Sequence, residues 1–147
     1  MTWLLPVAVA ISVGFILAFQ PAVNSSLAMF LNSAFAAAAF SLLLSSIIVF
    51  VFFCLSGASI APGQFLNLPW WVIFGGIIGA AFVSSSIFLV PVMGATVFFV
   101  CLIAGQLVGA VVADAIGAFG LEVRTLSVSK FVGVVLAFVG VFLVRWG

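Results

Sequence analysis

From Thr2 to Ala113 the chain carries no Asp, Glu, Lys, Arg or His. A domain dissolved in water needs charged side chains over its surface. In hydrocarbon the preference reverses, and each Lys, Arg or Asp at mid-helix costs about 2.5–3.5 kcal/mol. A run this long without charge belongs in a bilayer and excludes a water-soluble domain. The charges that exist (Asp114, Glu122, Arg124, Lys130 and Arg145) fall where helices are expected to end. The same poverty narrows the chemistry. With neither His nor Tyr, the chain offers no Ser–His dyad and no His-bearing metal site. Cys54 and Cys101 stand singly in apolar runs and form no CxxC pair, so each reads as a small packing residue. A formal net charge of +1 leaves no electrostatic footprint for nucleic acid. No catalytic residue, metal or cofactor is expected, and an enzyme is not.

Hydrophobic length gives the architecture. A bilayer core about 30 Å thick needs roughly 20 apolar residues per helix. Residues 1–19 lack the basic segment that opens a secretion signal and run on into further apolar sequence, so they read as a retained first span. Spans are expected at about 3–30, 34–55, 70–90, 95–116 and 128–144. Pro21 should kink the first, because proline gives up a helical hydrogen bond. Asn32-Ser33 makes a short turn, and 56–69 is a loop punctuated by Gly57, Pro62, Gly63 and Pro69. Pro91 and Gly94 mark a tight turn after the third span. Trp3, Trp70, Trp71 and Trp146 suit the aromatic belt at the membrane interfaces. The expected fold is therefore an all-α integral membrane protein of about five transmembrane helices, one membrane domain over 1–147. Gly75 with Gly79, and Gly105 with Gly109, are small-xxx-small pairs suited to close helix packing, and Gly133, Ala137 and Gly140 make a further small stripe.

An odd number of spans puts the termini on opposite sides. Arg124 and Lys130 then lie on one side and Arg145 on the other, a feeble bias by the positive-inside rule. Such a chain suits insertion in both orientations, and two antiparallel copies would make a ten-helix inverted-repeat assembly. The expected partner is a second copy, or a homologous five-span chain.

In charge-free spans the carboxamides are the informative side chains, since their polar atoms need partners or water. Gln20 and Asn24 lie four apart on one helical face, and Gln106 lies near the middle of the fourth span. These three are candidate walls of a polar cavity between spans one, three and four near the midplane, with Phe98 or Phe99 against apolar parts of a ligand. The bland alternative is structural hydrogen bonding between helices. Ser84, Ser85 and Ser86 read as serines that bond back to their own helix. Asp114, the one acid bordering a span, is a candidate for ion coupling or for a structural pair with Arg124.

The runs Gln20-Pro21-Ala22-Val23-Asn24, Leu89-Val90-Pro91-Val92-Met93-Gly94-Ala95 and Ala104-Gly105-Gln106, followed by Asp114, Gly117, Gly120 and Arg124, carry a resemblance. In their order and spacing the chain resembles the YdcZ-like family of the drug/metabolite transporter superfamily, over nearly its whole length. The resemblance implies transport by a paired, pseudo-symmetric assembly and names no substrate. Small multidrug exporters of that superfamily carry a buried Glu in the first span for proton and cation exchange. This chain has Gln20 and Asn24 there and no acid, and it lacks the basic residues often seen after the Asn. Proton-coupled cation export is therefore not expected. The leading expectation is a transporter of the inner or plasma membrane that moves a neutral, zwitterionic or amphiphilic small molecule by alternating access. The alternatives are a flippase for a lipid-like substrate and a non-transporting accessory subunit.

Overall fold

The computed structural model describes residues 4–146, so Trp3 lies outside the described residues. These fold as helices without a strand, and five stretches are long and apolar enough to cross a membrane. The chain divides into two compact units, Met1–Val92 and Met93–Gly147.

In the first unit the opening span is two helices, α1 (Leu4–Leu17) and α2 (Gln20–Leu31). The break falls at Ala18-Phe19, one turn ahead of Pro21, where the Phe19 amide donates to Ile16 in a tightened turn. Pro21 has no N–H to offer the carbonyl a turn earlier, so the ladder lapses just there. Asn32 closes α2 in the left-handed conformation at φ 50°. Ser33 opens α3 (Ala34–Leu55), its hydroxyl accepting the Ala36 amide at 3.2 Å. The expected turn is thus a left-handed cap followed by an N-cap. Small residues at Ala34, Ala37 and Ala38 let α2 lie close against α3.

The loop between the second and third spans holds a short helix, α4 (Pro62–Leu66), and a 3-10 turn at Trp70–Val72 leads into α5 (Ile73–Met93). Trp70 is exposed and meets Phe74 edge-on at 5.7 Å, as an interfacial Trp should. Val83, Ser86, Ile87 and Val90 repeat at helical spacing and form the buried face of α5. Val83 and Ile87 close the core of this unit with Ala37, Ala38, Leu27 and Ala28. Ser85 and Ser86 bond back to the carbonyls of Phe82 and Val83, the structural role expected of them.

The third span corrects one boundary. It does not stop at Val90, because α5 continues through Pro91 to Met93 and the chain turns at Gly94, φ 80°. Pro91 leaves the Ile87 carbonyl without its helical donor. The hydroxyl of Ser25, from α2, donates to that carbonyl at 3.4 Å. The donor that proline removes is replaced from another helix.

The second unit is a hairpin of α6 (Ala95–Ile116) and α7 (Val128–Trp146). Gly117 ends α6 at φ 62°, and an added Cβ there would lie 2.8 Å from Val123 Cγ2 and 3.0 Å from the Leu121 carbonyl. Only glycine fits that turn. The Arg124 amide then returns to the Asp114 carbonyl at 2.9 Å. Ser127 starts α7 by accepting the Lys130 amide at 3.3 Å. At the far end Phe142 stacks on Trp146 at 4.2 Å and the Arg145 guanidinium lies 5.8 Å from the same ring.

Within its own unit, neither glycine pair packs against a described residue of another helix. A Cβ added at Gly75, Gly79, Gly105 or Gly109 would meet nothing within 4 Å. Their neighbours along each helix are large apolar side chains that stand outward, as in Ile77, Ile78 and Val108.

Candidate functional site

The break before Pro21 has a chemical consequence. It sets Gln20 at the start of α2 and Asn24 one turn later, both turned toward α3. Between the two helices lies a cavity of about 370 Å3, bounded on the first span by Ile16, Phe19, Gln20 and Asn24. Phe40, Ser41 and Leu44 of α3 form the opposite wall. Leu44 is at the middle of α3, and Phe40 and Ser41 lie about one turn nearer its start.

Asn24 is 4 % exposed, and its Nδ2 is wholly buried with no hydrogen-bond partner among the described residues. A buried polar group left unpaired costs about 1–3 kcal/mol. Gln20 and Ser41 are half-buried, and neither side chain bonds to another described residue. Ser41 contributes only its carbonyl, to the Ser45 hydroxyl at 2.9 Å. Three polar side chains that bond to no other described residue therefore border one apolar cavity, the Asn24 Nδ2 lying sealed behind its wall. No ionisable group lines it.

Of the residues expected in a site, the structure joins Gln20 and Asn24. The cavity that holds them lies between the first and second spans rather than between the first, third and fourth, and Ser41, Phe19 and Phe40, which the sequence did not single out, line it too. Gln106, Phe98 and Phe99 belong to the other unit. Gln106 is exposed at the middle of α6 and bonds to no described side chain. Phe98 is buried and meets Phe99 edge-on at 5.3 Å.

A second cavity of the first unit, about 510 Å3, lies beside the Ser25–Ile87 bond and is lined by Asn32, Ser33, Phe88 and Pro91 among others. In the second unit a cavity of about 330 Å3 lies between α6 and α7 at Ala110, Asp114, Lys130 and Gly133. Here the expected Asp114–Arg124 pair is corrected. Lys130 Nζ reaches Asp114 Oδ2 at 3.1 Å, whereas Arg124 pairs with Glu122 at 3.3 Å. Asp114 sits near the C-terminal end of α6 and Lys130 in the first turn of α7, each at the helix end whose dipole opposes its charge. Pairing the two offsets both mismatches. Arg124, in the extended loop, meets Asp114 only through its backbone. Among the described residues no group of three or more His, Cys, Asp or Glu could hold a metal ion.

A family model described as "Putative inner membrane exporter, YdcZ" matches residues 5–143. Searches of curated proteins and of solved structures each find no match.

Proposed function

Because the chain belongs to the YdcZ family of the inner membrane, as a multi-pass membrane transporter, we propose that it exports a small molecule through the cavity between α2 and α3. The observation that carries this reading is Asn24. A packing subunit gains nothing from an amide that is buried within a span and bonded to no described residue, beside two further unspent polar side chains. A transporter needs such groups, because they exchange between water and a passing substrate.

The working unit we infer is two five-span chains of opposite orientation that rock about their sites. Support comes from the odd span count and from the feeble two-against-one bias of Arg124 and Lys130 over Arg145. Gln106 supports it too. A carboxamide exposed on an apolar helix is costly against lipid, and a second chain or an aqueous path between the chains would relieve it.

The test compares cells that make the wild-type chain with cells that make Asn24→Leu at the same membrane level. Extracellular compounds are surveyed in both cultures. Enrichment of one or more compounds outside wild-type cells alone supports export, and indistinguishable media reject it. Reporters fused to the C-terminus, each active on one side only, test orientation. Activity on a single side sinks dual insertion.

A further inference from the structure

We propose that the α2–α3 cavity takes an uncharged molecule bearing a hydrogen-bonding group on a compact apolar body, and turns away ions of either sign. This rests on the substrate site proposed above and names what that site holds.

Polarity without charge is the first ground. Asn24 is nine-tenths buried, lines the cavity and has an unpartnered Nδ2. Carboxamides at Asn24 and Gln20 and the hydroxyl of Ser41 each combine donor and acceptor capacity. A half-turn of the Asn24 amide exchanges its nitrogen for its oxygen. The wall therefore answers a hydroxyl, an amide or a carbonyl whichever way it is presented. Phe19 and Phe40 leave an apolar surface for the rest of the ligand.

The absence of a counter-ion is the second ground. Between Thr2 and Ala113 the sequence has no Asp, Glu, Lys, Arg or His, so no side chain of that stretch can neutralise an ion in the cavity. An ion there would exchange its hydration for a few neutral dipoles at hydrocarbon depth, which is strongly unfavourable. A neutral ligand loses only hydrogen bonds that Gln20, Asn24 and Ser41 can return. Size follows from volume. About 370 Å3 is at the low end of the roughly 300–1,000 Å3 of small-molecule pockets, which suits a ligand of about one ring.

The experiment uses the full chain in lipid nanodiscs and three probes of one shape, benzamide (neutral), benzoate (anion) and benzamidinium (cation). Binding is read by saturation-transfer NMR against empty nanodiscs. Benzamide should bind saturably, with both ions at least about tenfold weaker, and Asn24→Leu should weaken benzamide by about tenfold. Ser41→Ala should weaken it as well, which keeps the test alive should Asn24→Leu fail to fold. Asn24→Asp should reverse the preference at alkaline pH, since a carboxylate now supplies the missing counter-charge to benzamidinium. Ions that bind wild type better than benzamide, with Asn24→Leu removing them, would overturn the ligand class and leave the site standing. Benzamide binding unchanged in both Asn24→Leu and Ser41→Ala, or no saturable binding of any probe, would overturn the site and this proposal with it.

Discussion

Replacing Asn24 by leucine should make the protein more stable while it stops transport. The amide is 4 % exposed and its sealed Nδ2 meets no acceptor among the described residues, a burial that costs about 1–3 kcal/mol. Leucine removes that penalty. It is the bulkier side chain, yet its added volume can enter the neighbouring cavity of about 370 Å3 rather than a filled core, so little overpacking opposes the gain. A net stabilisation of about 1–2 kcal/mol is expected, which for a chain near this length raises Tm by about 2–8 °C. Thermal unfolding in detergent, followed by intrinsic Trp fluorescence, reads it directly. A fall of several degrees would refute the reasoning, because it would mean the amide has a hydrogen-bonding partner that leucine destroys. Stability gained together with function lost marks a residue kept for its chemistry rather than its packing.

Other outcomes follow from the same geometry. Ser25→Ala should cost about 0.5–1.5 kcal/mol by orphaning the Ile87 carbonyl. In a Pro91→Ala background, which restores the helical N–H, the same change should cost almost nothing, and a double-mutant cycle on unfolding reads the difference. Asp114→Asn and Lys130→Gln should couple by about 0.2–1 kcal/mol, the pair being one-third or more exposed. Asp114→Asn with Arg124→Gln should be additive within about 0.5 kcal/mol, since those side chains do not meet. Gly117→Ala combines a left-handed backbone with a 2.8 Å clash and should cost more than about 1 kcal/mol, seen as a lowered Tm.

Much of the fold was legible because bilayer thickness and charge avoidance act along the sequence. The five spans, the break near Pro21 and the Asn32-Ser33 turn depend on residues close together in the chain. The end of the third span was not legible in that way. Proline at residue 91 reads as a stop, and what carries the helix past it is a hydroxyl 62 residues away. Asp114 shows the same limit, since Arg124 is nearer in sequence. The start of α7 at Val128 nevertheless brings Lys130 back against α6 and leaves Arg124 in the loop.

The lining of the candidate site was half legible. Gln20 and Asn24 stood out because carboxamides are rare in apolar helices and their spacing put them on one face. Phe40 and Ser41 gave no such signal. α3 is apolar on every side, so no periodicity told its cavity wall from its lipid face. Their choice came from how closely the alanines of α3 let α2 approach, a property of the packed pair.

Water at the half-exposed Ser41 wall of that cavity, with the Asn24 Nδ2 sealed behind it, is the central claim, and thiol labelling tests it most directly. Cys54 and Cys101 are first replaced by alanine, and single cysteines are introduced at Ser41 and, one turn-face away on the same helix, at the exposed Leu43. A membrane-impermeant thiol reagent reacts only where water lets a thiolate form. Ser41→Cys should be labelled in intact membranes and Leu43→Cys should not. A Ser41→Cys as inert as Leu43→Cys would contradict the account.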